Sequence, residues 1–572
     1  MAVKQMLTFS IIGLGNRGSV YADGLKTQKN VKIVSVCDTS PESLLKAKEV
    51  YGVEDKNLFS SDEEFFKEKR ADVLIIATLD GLHKEQAVKG MSLGYDILLE
   101  KPMAPTPEEC DEIKAASEKY KRDVVICHNL RYTPFYQKIK TVIADGEIGR
   151  VLSVEQSENV AYHHYMCSFI RGKWHRSEET SSIVLQKCCH DLDIITWFIG
   201  DVNETLQSLG DLRYYTKSRA PKDAADLCVN CKIKNCPLNA YDFYVKAHES
   251  MCVPYGFDYS DENIKKYLSD ENNPYGKCAF KSDNDVCDRQ TVNIRYDNGV
   301  TANLLLHGFA NDTDRITCVF GTEGRVYGRF NEGVVHVERF DGKRYDFDVN
   351  KEVSADAHNG GDVKLVRDYV TYKLTGDRPL GISRISDSVK SHKLAFEAET
   401  VRAKNVKSQK PMSVDGDFTV KTGGVYLKGE EFIKAGKVGE LQIIAVSANY
   451  TRGGADKIEN DLCYAFSLIK SDLYDYDVSV SGEGYKHGFI DMYFTSGVML
   501  RYAFTAAPIS DFTTIRFYGT RGTVFCDTEK GMVSERSTVL FEKETEHKVN
   551  GESFCKASRV PGMIKTIAEA FR

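Results

Sequence analysis

The stretch IVLQKCCHDLDIITWFIG, residues 183–200, sets two cysteines against a histidine flanked by acids. Three chemistries suit these residue types: a thiolate nucleophile, a metal site, or an imidazole acting as a base. Helical spacing separates them. At about 100° per residue, Leu185, Cys188, Leu192, Ile195 and Ile199 fall on one apolar stripe, while Gln186, His190, Asp193 and Trp197 share a different face. Cys188 and Cys189 then point about 100° apart and cannot readily serve one ligand set from a regular helix. The pattern predicts Cys188 in the core, Cys189 at the edge of the stripe, and His190 facing another way with Gln186. Lys187, if charged, favours the neutral imidazole that a base requires.

A second group lies downstream. DLCVNCKIKNCPLNAYDF holds Cys228, Cys231 and Cys236 as C-x2-C-x4-C, and PYGKCAF adds Cys278, with Cys252 and Cys287 in reserve. Thiolates at such spacing can wrap a tetrahedral ion, so a structural zinc is expected ahead of an iron–sulfur cluster. Buried free thiols are the competing reading and disulfides the weakest. The segment from about 217 to 289 has few periodic apolar runs and reads as an insertion, which a metal staple would suit.

These groups need a scaffold. MLTFSIIGLGNRGSVYADGL reads as a buried strand, then Gly13-x-Gly15-x-x-Gly18, then a helix. Glycines suit a turn that must approach a pyrophosphate, whose charge the helix N-terminus stabilises. A second strand, VKIVSVCD, ends in Asp38, placed to hydrogen-bond both ribose hydroxyls and to repel a 2′-phosphate. NAD is therefore expected rather than NADP. ADVLIIATLD, HKEQAVKGMSLG and YDILLEKP continue as strand, helix and strand, which argues for a doubly wound parallel sheet. Ligands of such sheets sit at the carboxyl ends of the strands. Asn16 and Arg17 of the turn, with Thr78, His83, Glu100 and Lys101 near those ends, complete the cofactor candidates.

At this point GLGNRG, ATLDGLHKEQAVKGMSLGYDILLEKPMAPTPEEC and NLRYTPFYQKIKTVIADGEIGRV together resemble the Gfo/Idh/MocA oxidoreductases, over roughly residues 5–400. The resemblance implies an α/β Rossmann domain followed by an α+β open-faced sheet domain. It implies hydride transfer between NAD(P) and a sugar, inositol or diol carbon. It also implies that Lys101, in the EKP motif, lies beside nicotinamide and substrate, and that His190 takes the hydroxyl proton. The family's aspartate four residues before that histidine is Gln186 here, and a neutral amide would not raise imidazole basicity. Upstream, AYHHYMCSFIRGKWHRSEETSS offers His164, Arg171 and Trp174 as groups that could grip a polyol. Arg131, Gln186 and Lys187 join them as substrate candidates.

Past residue 400 a repeat takes over. TVIADGEIGRVLSVEQSENV from 141 aligns with EFIKAGKVGELQIIAVSANY from 431, and the stretch from 296 aligns without a gap with the one from 494. Gly299, Gly321 and Gly324 fall on Gly497, Gly519 and Gly522. The tail is expected to be a second, partial β-sheet domain, non-catalytic because it has no GxGxxG, EKP lysine or HD helix. The expected organisation is 1–128 for the nucleotide domain, 129–400 for the substrate domain, 401–416 as linker and 417–572 for the repeat. Family members commonly associate through open sheet faces; a homo-oligomer or an intramolecular pseudo-dimer would answer to that here.

Composition excludes other classes. With 572 residues, 42% hydrophobic and 28% charged, the chain reads as globular, and its net charge of −7 argues against a nucleic-acid partner. No run approaches membrane length and no h-region opens the sequence, so 16 cysteines point to reduced thiols in the cytoplasm. The leading reading is an NAD-dependent oxidoreductase acting on a carbohydrate or cyclitol hydroxyl. The alternatives are NAD-assisted glycoside cleavage through a transient 3-keto sugar, and a non-catalytic NAD- and sugar-binding regulator.

Overall fold

The computed structural model describes residues 6–200, 204–246, 258, 260–352 and 359–407, and beyond them the backbone of strands between 417 and 558. The first strands are β1 (Leu7–Ile12), β2 (Val31–Cys37), β3 (Leu58–Phe59), β4 (Val73–Ile76), β5 (Asp96–Leu99) and β6 (Val124–Ile126). They pair in parallel in the order β3-β2-β1-β4-β5-β6, so the order reverses between β1 and β4. The linking helices are α1 (Asn16–Lys26), α2 (Pro41–Tyr51), α3 (Asp62–Phe65), α4 (Asp80–Ser92) and α5 (Pro107–Tyr120). A further helix, α6 (Pro134–Ala144), leads out of this domain. Three of these start alike. Ser40, Thr106 and Thr133 each precede a proline, and each hydroxyl accepts a first-turn amide proton while the proline fills a position that needs no donor.

The second domain contains β7 (Val151–Ala161), α7 (Tyr162–Tyr165), α8 (Ile183–Gln186), α9 (Cys189–Ile199), β8 (Glu204–Asp211) and α10 (Asp261–Ser269). It continues with β9 (Arg289–Tyr296), β10 (Thr301–Ala310), β11 (Asp314–Gly321), β12 (Gly324–Arg329), β13 (Val334–Arg339) and β14 (Arg344–Asp348). Its eight strands run β14-β13-β12-β11-β7-β10-β9-β8, with β7 and β10 parallel at the centre. One face of that sheet packs against α6 and α9 through Val154, Leu304, Val319 and Val337, together with Ile139 and Leu192.

Two later helices, α11 (Gly361–Thr375) and α12 (Ile385–Lys407), bind the domains together. Leu365, Val366 and Tyr369 of α11 enter the core of the first domain beside Phe9 and Tyr21. Along α12, Val389 packs into the first domain and Leu394, Ala395 and Ala398 into the second. The expected boundary near residue 128 is thus crossed twice by returning chain.

The helical stripe predicted over 185–199 is interrupted. α8 ends at Gln186, Lys187 and Cys188 form a turn, and α9 begins at Cys189. Both cysteines are fully buried, and burial pushes the Cys189 thiol up to about 12 and Cys188 well above the usual range. They are protonated filler.

The insertion also differs from expectation. Phe243, Tyr244, Ile264, Leu268 and Phe280 all join the main core of the second domain, so this segment shares a core with other elements. Cys228, Cys231, Cys236 and Cys278 carry free thiols, and among the described residues no group of three or more Cys, His, Asp or Glu is arranged to hold a metal ion. The expected metal finds no support among the described residues; Cys287 is a buried free thiol and Cys252 lies outside them.

The tail strands are β15 (Asp417–Gly423), β16 (Leu441–Asn449), β17 (Leu473–Ser481), β18 (His487–Phe494) and β19 (Met499–Thr505). After them come β20 (Phe512–Gly519), β21 (Gly522–Asp527), β22 (Met532–Ser537), β23 (Thr545–Lys548) and β24 (Glu552–Ser558). Eight form a sheet ordered β17-β18-β19-β16-β20-β21-β22-β23, which reproduces strand for strand the order β8-β9-β10-β7-β11-β12-β13-β14. Thr301 pairs with Ser153 and Met499 with Ile443, at the offsets of 198 and 290 residues that align the sequences. Even the irregularity is shared: Gly321 pairs with Val151 after a register shift, and Gly519 pairs with Leu441 after one. Gly497 lies outside the described residues.

Burial makes one property of this fold measurable. His128, His307 and His392 are buried and His164 is half-buried, and all four are held below the ordinary histidine value, to about 2 for His164 and about 3 for His307 and His392. In the unfolded chain the same rings titrate near 6.5. Below that pH the unfolded state binds protons the folded state refuses, so their contribution is intact above pH 6.5 and stability is lost as pH falls toward 3. Each histidine then costs about 1.4 kcal/mol per pH unit. The urea midpoint is expected to fall clearly between pH 7.5 and 5.5; a level or rising midpoint would contradict this burial pattern.

Candidate active site

The first strand ends at Gly13, whose φ of +83° and closeness to Ala77 exclude a side chain: an added Cβ would lie 2.7 Å from the Ala77 carbonyl oxygen. At Gly18 an added Cβ would lie 2.0 Å from the Gly13 carbonyl oxygen, so this glycine lets α1 start tight against the turn. Gly15 is the opposite case, with open space and nothing within 4 Å. It caps α1 without a side-chain hydrogen bond, leaving first-turn amides directed outward. Gly15 and Asn16 are exposed. Asp38, at the end of β2, accepts from the amides of Leu14 at 2.5 Å and Ser40 at 2.8 Å, which fixes its carboxylate beside the turn. This set fits a dinucleotide: an open cradle, a helix N-terminus and a fixed acid.

Beside it lies a cleft of about 440 Å³ between the two domains, lined among others by Arg17, Glu100, Lys101, His164, Trp174, Gln186, Lys187, His190 and Arg315. Eight of these nine were predicted, and the fold brings them together from five separate stretches. Arg17 does more than border the turn. Its guanidinium donates to Glu100 at 2.5 Å, to the Tyr21 hydroxyl at 2.6 Å and to both oxygens of Asp362 in α11. Burial alone would raise the Glu100 carboxyl, but Arg17 and Lys101 outweigh it and hold Glu100 below its usual range.

The Lys101 ammonium reaches across the domain junction and donates to the Gln186 carbonyl at 3.0 Å, an acceptor left available where α8 stops. One residue on, Lys187 lies 3.4 Å from Glu158 of β7, and Arg315 of β11 binds both Glu158 (2.6 Å) and Asp191 (2.9 Å). Burial lowers Lys187 from its ordinary value and raises Glu158, each opposed by the attraction of its partner. Gln156 donates to Asp191 Oδ1, the same oxygen that accepts from Arg315 Nε. His190, 7% exposed, sits in the first turn of α9 above this network. Its ring lies edge-on to His128, 6.2 Å away. His164 stacks on Phe169, which also meets Trp174, giving the cleft an aromatic wall.

Other candidates have different places. Arg131 is fully buried in a bidentate pair with Asp193 (2.6 and 2.7 Å) and lies under Trp197, so it anchors α9 and does not line the cleft. Arg171 is also buried away from the cleft. It donates to the Lys277 and Leu238 carbonyls and approaches the Cys228 sulfur at 3.5 Å, clasping the insertion. Both substrate assignments are corrected: each guanidinium is spent on partners inside the protein. His83 is buried between the carbonyls of Thr78 (3.2 Å) and Pro102 (2.9 Å), and the Thr78 hydroxyl donates to Gln86. These two hold the ends of β4 and β5 in place.

Sequence reasoning missed Glu158, Asp191, Arg315 and Asp362, whose partners lie far along the chain. It also left Gln186 unexplained. The Gln186 amide nitrogen donates to Asp80 at 2.7 Å and to Ser181 at 2.8 Å. A carboxylate already stands beside residue 186, supplied by the N-terminus of α4.

Comparison with known proteins agrees with this geometry. Residues 7–128 match the model of the GFO/IDH/MocA oxidoreductase family, NAD-binding Rossmann fold, and residues 136–230 match a GFO/IDH/MocA C-terminal domain. The oxidoreductase-family protein YteT of Bacillus subtilis (strain 168) is 28% identical over 277 residues, 47% of this chain and 63% of that protein. Inositol 2-dehydrogenase of Salmonella typhimurium (strain LT2) is 27% identical over 203 residues, 35% of this chain and 57% of its own length. The chain thus spans about three-fifths of these curated relatives. An oxidoreductase from Agrobacterium radiobacter, solved in complex with NAD+, L-tartaric acid and magnesium, has the same fold at a TM-score of 0.50 and 17% identity, over 70% of this chain and 97% of that one.

The Asp80–Gln186 contact has a measurable consequence. Replacing Gln186 with Asp would set a buried carboxylate against the half-buried Asp80, and repulsion of that kind costs roughly 1–3 kcal/mol. Gln186→Asp is expected to lower the urea midpoint at pH 7.5, and adding Asp80→Asn is expected to recover most of the loss. Equal stability of Gln186→Asp and the parent would contradict the contact.

Proposed function

The chain's first two domains belong to the Gfo/Idh/MocA oxidoreductases, and from that premise we propose an NAD-dependent enzyme that moves hydride between nicotinamide and a hydroxyl-bearing carbon of a sugar, glycoside or inositol. The observation that carries this reading is the meeting of Lys101 and His190 in one interdomain cleft, with the Lys101 ammonium held on the Gln186 carbonyl. The likeness to the Salmonella inositol 2-dehydrogenase supports the substrate class.

Gly13, Gly15 and Gly18 would hold the pyrophosphate at the start of α1, and Asp38 the ribose hydroxyls. The fixed charge of Asp38 favours NAD over NADP. Bound NAD supplies the hydride acceptor. In the cleft, His190 takes the hydroxyl proton as the C–H bond breaks, and Lys101 donates a hydrogen bond that stabilises charge building on the oxygen. His164, half-buried and held below its ordinary value by lost hydration and by the nearby cations Lys187, Lys101 and Arg315, offers a hydrogen bond without a competing charge. Trp174 gives the ring a face to pack on. Cytoplasmic residence and a small-molecule carbohydrate or cyclitol partner, without nucleic acid or membrane, complete the reading; no described helix is long and apolar enough to cross a membrane.

The test incubates the full chain with NAD and a panel of sugars, glycosides and inositols, following reduced-cofactor absorbance and product mass together. Net NADH formation with at least one member is expected. Aglycone release without net NADH would replace the proposal with transient oxidation and cleavage, and binding with neither would leave a non-catalytic regulator. His190→Ala is expected to lower kcat by about 100-fold or more while NAD affinity stays within about twofold. Unchanged turnover in that variant would refute the role of the imidazole. Asp38→Ala is expected to erode the preference for NAD over NADP.

A further inference from the structure

The sheet of the second domain has a face that its helices do not touch. Along β10, Ala302, Leu304 and Leu306 point into the helix-side core, so by strand alternation Thr301, Asn303, Leu305 and His307 point the other way. All four are nonetheless at most 4% exposed. Their ladder partners on that face behave alike, with Thr291 opposite Leu305 and Asn293 opposite Asn303, at 1% and 5% exposure. A sheet with solvent on one side would leave such residues wet. Something covers them.

The covering chain belongs to the same molecule: the backbone of β18, β20 and β21 lies against β10. In the repeat these strands occupy the positions of β9, β11 and β12, so the centre of the first sheet lies over the central part of its copy. The covered face is mostly polar. That composition suits a matched polar surface better than an indiscriminate apolar contact, because buried polar groups must be met by hydrogen-bonding atoms.

We propose that the sheet of β16 to β23 takes the place of a second copy of this chain: the repeat closes the open face of the first sheet, and the protein is a self-contained pair of sheets that does not dimerise there. The inference rests on topology and burial and is independent of the catalytic reading. It also gives the tail a task without active-site residues of its own. The covered strand β10 pairs with β7, whose Glu158 lies on the helix-side face, so the repeat backs the sheet that carries the floor of the cleft.

The test uses the full chain. Light scattering at about 1 µM and about 100 µM is expected to give the mass of one chain, 64.3 kDa, at both concentrations. The urea midpoint is expected to be independent of concentration, as an intramolecular contact requires. Leu305→Asp, introduced on the covered face, is expected to speed amide exchange in β18, β20 and β21 at least tenfold while β1 and β4 keep their protection. Asn293→Lys serves the same purpose if Leu305→Asp does not fold. Twice the chain mass, reduced to one by either substitution, would overturn the proposal in favour of a second copy on this face. A monomer whose tail exchange is unaffected by both substitutions would overturn it as well.

Discussion

Glu100 ends its strand where solvent hardly reaches, and Asp362 begins a returning helix in equal seclusion; one guanidinium answers both. Arg17 stands in the first turn after the nucleotide strand, so its bonds to Glu100 and Asp362 tie that turn to the strand carrying Lys101 and to α11. Two buried carboxylates without this cation would be costly to keep ionised, and breaking such a group by losing one partner typically costs about 3–5 kcal/mol. The geometry of the cleft follows from it. Lys101 can extend toward the second domain because its neighbour Glu100 is held back by Arg17 and Tyr21.

The second domain answers with a charge network of its own. Glu158, Lys187, Asp191 and Arg315 alternate in sign beneath His190, joined by contacts of 2.6 to 3.4 Å. Two strands of one sheet and the turn between α8 and α9 therefore share a single electrostatic arrangement. A rigid floor of this kind limits how far His190 and Lys187 can move when a substrate enters. Behind the floor, strand β10 of the same sheet lies against β18, β20 and β21 of the tail.

Legibility followed the range of the interactions. The glycine turn, the alternating strands and helices, and the Ser/Thr-Pro helix starts are local patterns, and the structure reproduces them. The sheet repeat was legible because its registers preserve fixed sequence offsets. Arg131 and Arg171 were misassigned because their partners, Asp193 and Lys277, lie 62 and 106 residues away. Helical phase placed Gln186 and His190 correctly in one cleft, yet it could not show the turn at Lys187 and Cys188, which depends on contacts with Lys101 and Glu158. The cysteine spacing suggested a staple because the apolar residues of the insertion lack periodicity; in three dimensions they join a core supplied by other elements. Gln186 looked like a lost carboxylate, whereas Asp80 had supplied one from another helix.

The central claim is that the interdomain cleft oxidises a carbinol carbon by direct hydride transfer. Single-turnover mass spectrometry with carbohydrates deuterated at the carbinol carbons tests it most directly. Deuterium is expected to leave one such carbon and to appear on the reduced nicotinamide in equal amount. Deuterium that washes into solvent, or stays on the sugar while product forms, would contradict it.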